Sequence, residues 1–309
     1  MRPTDPGRTL DVPALADAAG EAQDALRRMD PIAAAELPKY LAAHEAWPEG
    51  WAYGRVPAAV AEQIRAVHQR GGDELVGTFH RTTILTGLVA TRERLVVHDR
   101  WAHALPCFDD AAARIVDALP ATPDEVLTYP HDAFSKNVAL ATGRLWHAKA
   151  QLVEPRLGVA RGRLLRSGAG TIARAAAVLA RIGGHAPLYE IHTYEHLLHW
   201  FTEDGWSECY RMIALALSRD PAARGVFGTA WFFDPALAEV SPRIAYLYRF
   251  PADRGAVFLR VRNGHGVEAA LSKSETRRQL FAEGKYAPQE YLMIWPRAAM
   301  VDWLRSGAA

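Results

Sequence analysis

Leu145-Trp146-His147-Ala148-Lys149-Ala150-Gln151-Leu152-Val153, closed by Glu154-Pro155, is the stretch from which the fold can be read. Apolar and polar side chains alternate along part of it, the pattern of a strand with one wetter face. Ser167 to Thr171 then reads as a helix entry, and Ile172 to Arg181 as a helix ended by Gly183-Gly184. Pro187 to Thr193 is short and strand-like. Ser207 to Arg219 is amphipathic, with Cys209, Met212, Ile213, Ala216 and Leu217 on one side. Val226 to Phe233 reads as a further strand, stopped by Asp234-Pro235. Strand, helix, strand, helix, strand through residues 145 to 233 predicts an α/β protein, a mixed sheet with crossover helices.

Toward the C-terminus the pattern predicts strands at Ile244 to Phe250 and Ala256 to Val261, and a polar helix around Ser274 to Glu283. A last strand at Tyr291 to Trp295 and a helix from Arg297 to Leu304 follow. Toward the N-terminus, Val12 to Gly71 reads as helices interrupted by a turn at Trp47 to Trp51. Glu74 to Leu119 mixes an expected strand, Arg94 to His98, with a helix from Asp109. Pro120 to Asp124 looks like a connection. The expected organisation is therefore a helical or mixed region over 1–120 and an α/β domain over 121–309.

A chain of 309 residues suits two domains at about 150 residues each. Its 36 Lys and Arg against 35 Asp and Glu exclude a surface that is basic throughout. Cys107 and Cys209 cannot form a disulfide framework, no run reaches about 18 apolar residues, and no signal-peptide pattern opens the chain. The expectation is a cytoplasmic protein with no membrane partner.

Two stretches concentrate chemistry. The first, Glu190 to His199, contains H-x-x-E-H at His192 to His196. On a helix His192, His196 and His199 would share a face and could hold zinc, with Glu195 activating water. A metal-dependent hydrolase is the class this implies; a strand-to-helix junction with solvated imidazoles is the plainer reading. The second, Pro155 to Tyr189, carries Arg156, Arg161, Arg163, Arg166, Arg174 and Arg181 and no acid. Guanidinium groups before a helix entry suit an anion, and an RNA- or nucleotide-binding protein would need nothing more. The competing reading is a solvated surface whose arginines pair with acids elsewhere.

A strand ending in Glu154, an Arg- and Gly-bearing turn from Arg161 to Gly170, a helix to Arg181, a strand at Leu188 to Thr193, a helix with Tyr210 and a strand from Val226 resemble the core of GNAT-type acyltransferases. The resemblance covers about 90 residues and consists mainly of the order of elements. It implies a GNAT-like domain over 121–309 and makes the N-terminal region a degenerate second copy or a lid. It also implies acyl or aminoacyl transfer to an amine of a small molecule, with no resident cofactor required. In that family a glycine-rich turn cradles the pyrophosphate of acyl-CoA. Here Gly168 and Gly170 stand at another distance from Arg166, and Arg156, Arg161 and Arg163 fit no better. The resemblance therefore favours aminoacyl-tRNA as donor, held by these arginines, over acyl-CoA. It implies Glu154 or His192 as base and Tyr210 as acid. The sequence adds Trp231, Phe233 and Asp234 at a strand exit as a substrate pocket, Asp234 holding the amine, or else as a core strand ending in an Asp-Pro turn.

Overall fold

A computed structural model describes residues 9–47, 52–97, 99–159, 169–261, 265–272 and 274–307. The chain divides into two compact units, one of residues 1–154 and 193–199, the other of 155–192 and 200–309. The connection expected near 120 lies inside the first unit. Six strands form one mixed sheet in the order β1-β2-β3-β4-β6-β5, and the division runs through β2.

The first unit is helical up to its hairpin. Helices α1 (Val12–Met29) and α2 (Pro31–Glu45) share one residue at their junction: the Asp30 carboxylate accepts from the Ile32 and Ala33 amides and pairs with Arg70 Nε at 2.7 Å. Helix α3 (Ala58–Val97) breaks at Gly71-Gly72, where Gly72 takes φ +62°, a region that side-chain-bearing residues rarely enter. After the break the chain is helical through Val97, so Arg94 to Val97 form no strand, and His98 lies outside the described residues. Leu26, Leu37, Tyr40, Val60, Val67, Leu75, Val76 and Phe79 interlock α1, α2 and α3 as a core. Helices α4 (Leu105–Ala118) and α5 (Asp132–Ala141) complete the helical part. Strands β1 (Trp146–Ala148) and β2 (Gln151–Leu157) follow as a hairpin, not a single strand. Lys149, at φ 50°, forms the two-residue turn with Ala150, and β2 continues through Glu154-Pro155. No strand precedes Trp146 among the described residues, so this region has no sheet with which to form a second transferase copy.

In the second unit α6 (Ala169–Arg181) leads to β3 (Leu188–His192), α7 (Glu203–Arg219) and β4 (Gly225–Ala230). Strands β3 and β4 run parallel, and α7 is the crossover that such a pair requires. A turn Leu237–Val240 (α8) and a helix Tyr246–Ala252 (α9) precede β5 (Val257–Val261), α10 (His265–Ser272), α11 (Glu275–Ala282), β6 (Glu290–Pro296) and α12 (Arg297–Arg305). The strand expected over Ile244 to Phe250 is instead helical turns, because Leu247 and Pro251 are the buried positions, four apart. Strand β6 lies antiparallel between β4 and β5. One face of the sheet, with Leu188, Phe227, Leu259, Leu292 and Ile294, is covered by Ala175 and Val178 of α6. The other carries α7 and α12, where Tyr210, Trp295, Phe250 and Trp303 pack ring on ring. Strand, helix, strand, helix, strand through 146–230 is the α/β order read from the sequence. No helix among the described residues is long and apolar enough to cross a membrane.

Candidate active site

Alternation along β3 sorts its side chains by face. Tyr189 and Ile191 point one way, and Leu188, Glu190 and His192 the other. Tyr189 donates from its hydroxyl to Asp220 Oδ2 at 2.9 Å, just past the end of α7. Ile191 lies where a side chain at Gly228 would stand: a Cβ there would come within 2.5 Å of Ile191 Cγ1. The strand is thus fixed from behind, with Tyr189 opposite Val226 and Glu190 opposite Phe227.

On the front face the apolar floor of Leu188 and Phe227 gives way to Glu190 and His192, both half-buried, at the C-terminal end of β3. A carboxylate oxygen of Glu190 and a ring nitrogen of His192 lie within 4.8 Å of each other. Thr229 follows Phe227 on the same face of β4, opposite Leu292 of β6. Carboxyl ends of parallel strands are where open α/β sheets bind ligands. An imidazole beside a carboxylate, with one side reached by solvent, can take a proton from a bound nucleophile while the carboxylate holds the ring.

The other expected residues divide sharply. Glu154, in the first unit, is buried on β2, and its charge favours the ionised form of Arg144. Tyr210 is enclosed by Trp206, Phe250 and Trp295, and its hydroxyl donates to Met293 Sδ at 3.7 Å. Burial raises its pKa well above the ordinary phenol value, so Tyr210 is a core residue and not an acid facing substrate. Phe233 is buried against Trp206, Phe232 and Phe258, while Trp231 carries the Arg277 guanidinium 4.6 Å above its ring. Asp234 is buried, its oxygens accepting from the Ala236 and Gln289 amides at 3.0 and 3.2 Å. Its carboxylate is used in a turn, which corrects the expectation of an amine-binding pocket.

The zinc motif fails on secondary structure. His192 ends a strand, and Glu195–Trp200 is a 3-10 helix, so no α-helix brings His192, His196 and His199 to one face. His196 Nε2 instead lies 3.9 Å from Glu195. Burial, then the Arg114 charge, lowers the His199 pKa. This segment belongs to the first unit, where Lys136 Nζ donates to the Thr193 carbonyl at 2.7 Å and the Tyr194 hydroxyl to Asn137.

Of the anion-site residues, Arg161, Arg163, Arg166, Gly168 and the side chain of Arg156 lie outside the described residues. Gly170 lies in the first turn of α6, where a Cβ would meet no described atom within 4 Å, and Arg174 and Arg181 are exposed on that helix. Glu190 and Thr229 are the residues that the sequence left without a role. Glu190 could have been found, since it stands two positions from His192 on a strand, on the same face.

No protein-family model and no curated protein matches the chain. Among solved structures it is similar to an acyltransferase in complex with decanoyl-CoA and teicoplanin, at a TM-score of 0.46 and 15% identity over 87% of this chain and 80% of that one. A second, an acyltransferase in complex with CoA and 10C-teicoplanin, has the same coverage and TM-score at 13% identity. At that distance no residue role passes from either to this chain.

Proposed function

We propose that the protein transfers an acyl group from an activated carrier to an amine of a small molecule, forming an amide. The observation that carries the reading is the half-buried pair Glu190 and His192 at the carboxyl end of β3, where a parallel strand pair offers a binding edge. His192 is the base. As the amine nitrogen attacks the carrier's carbonyl carbon, the N–C bond forms and the amine proton passes to the imidazole. The carrier's C–S or C–O bond then breaks, and His192 returns the proton to the departing sulfur or oxygen. Glu190 holds the imidazole in place and favours the imidazolium that forms between the two transfers. Tyr210, shut in the core, takes no part.

Both a CoA thioester and the ester of an aminoacyl-tRNA satisfy this chemistry. The arginine-rich segment before α6 is the reason to keep the RNA ester in view. The test offers the full chain acetyl-CoA, decanoyl-CoA or charged tRNA together with a mixture of primary amines, and reads products by mass spectrometry. Amide formed from one donor class is the expected result and identifies the carrier. No amide from any donor, at protein concentrations equal to the donor's, contradicts the proposal.

A further inference from the structure

Within the helical unit, six buried polar atoms on four neighbouring side chains have no hydrogen-bond partner among the described residues: His44 Nδ1 and Nε2, Trp47 Nε1, the Tyr129 hydroxyl, and Arg144 Nε and Nη1. They are one cluster. The Arg144 guanidinium lies 3.6 Å from the centre of the Trp47 ring, and Trp47 and Tyr129 both stack on His44 with planes 19° apart, at 5.1 and 6.4 Å. Tyr40 closes the back, edge-on to His44 at 4.7 Å, its own hydroxyl engaged with His80 Nε2 at 3.1 Å. Arg144 makes one long contact, Nη2 to the Tyr53 carbonyl at 3.5 Å. Glu154 favours its charge without taking the Nε or Nη1 hydrogens.

A buried polar atom without a partner costs about 1–3 kcal/mol, and folded domains keep few of them. Other such atoms, as on Gln63, Gln151, Trp206, Tyr246 and Tyr286, also occur among the described residues, but here four side chains in mutual contact turn six of them toward one another, and that convergence points to an occupant. Its chemistry follows from the donors. Guanidinium and indole N–H groups can only donate, a phenol can donate, and a neutral imidazole has one N–H. Burial lowers the His44 pKa to about 2, so the ring is neutral. With Trp47 set aside, Arg144 Nε and Nη1, the Tyr129 hydroxyl and one His44 nitrogen supply four donors. A carboxylate offers about four acceptor positions; a neutral carbonyl offers two. The walls are flat rings. In the closed arrangement all six atoms are covered, so a ligand reaches them as the half-buried Trp47 indole at the end of α2 moves off the guanidinium.

We infer that Arg144, Tyr129 and His44 form a binding site for a small planar carboxylate, with Trp47 as its cover.

Calorimetry and tryptophan fluorescence on the full chain test this with benzoate, against benzamide for shape without charge and inorganic phosphate for charge without the flat body. Benzoate should bind saturably and change the fluorescence, while benzamide and phosphate should not. Trp47→Phe should keep benzoate binding and lose the fluorescence change. Tyr129→Phe, which removes one hydroxyl at constant shape, should weaken binding about 10–150-fold, a loss of the size expected for one hydrogen bond to a charged group. Arg144→Met should abolish it. The site is overturned if benzoate does not bind the folded wild type, if benzamide or phosphate binds as well, or if Tyr129→Phe leaves benzoate affinity unchanged.

Discussion

Gly228 sets how closely β3 approaches β4, because the Ile191 side chain fills the space a Cβ would take. Gly228→Ala should therefore cost about 1–3 kcal/mol by overpacking, read by urea denaturation, and should lower turnover by displacing Ile191 and with it the adjacent His192. Tyr210→Phe removes only a hydroxyl held by a sulfur at 3.7 Å. It should cost less than about 1 kcal/mol and leave turnover within twofold. Tyr210 also shows what a sequence conceals at this scale. Its amphipathic helix is readable, and a core role beside Cys209 is one of the two readings it allows. The rings that seal it come from Phe250 and Trp295, forty and eighty-five residues away, and no local pattern reports them. His192 was legible as a strand end, and its partner Glu190 follows from strand alternation alone.

Elements are held by few residues at their ends. Asp30 closes α1, caps α2 and pairs with Arg70. Burial raises its pKa, but the Arg70 hydrogen bond and the Ala33 and Ile32 amides outweigh that, leaving a net lowering. A carboxylate with a lowered folded pKa stabilises above its unfolded value, about 3.9, and loses that contribution as pH falls through the folded value. Asp30→Ala should cost about 1 kcal/mol at pH 7 and less below pH 3, followed by denaturation across that range. Elements were misread where β-prone residues stand in helices. Leu95, Val96 and Val97 look like a strand, yet α3 carries them, with Thr82, Thr83, Ile84, Leu88 and Thr91 buried in its preceding turns and Val97 78% exposed at its end. Tyr246, Tyr248 and Phe250 alternate like a strand, but Phe250 stacks on Tyr210 from a helix, so tertiary packing overrides the local period.

At the scale of the molecule, the helical unit keeps the buried His44 and His80 neutral. Burial presses His44 to about 2 and His80 to about 4, the latter partly offset by its bond to the Leu127 carbonyl. Both rise to about 6.5 when the chain unfolds. Below that pH the unfolded chain binds protons that the folded one refuses, so stability is full above about 6.5 and falls as pH drops. Each histidine contributes a slope of about 1.4 kcal/mol per pH unit, ending near 4 for His80 and near 2 for His44. His44→Phe should flatten the decline between pH 6 and 4, measured by urea denaturation. The α/β sheet with its crossovers was legible because its strands are short, apolar and set off by Gly and Pro. The compact units were not, because the division cuts a strand and returns 193–199 to the helices, a matter of contacts and not of composition. The central claim is that His192 moves the proton in amide formation. Its most direct measurement is the rate of amide formation by His192→Ala beside wild type and Tyr210→Phe, with melting temperatures recorded for all three. The account predicts a loss of about 100-fold or more for His192→Ala at an unchanged melting temperature, and a near-wild-type rate for Tyr210→Phe. A wild-type rate from His192→Ala would contradict it.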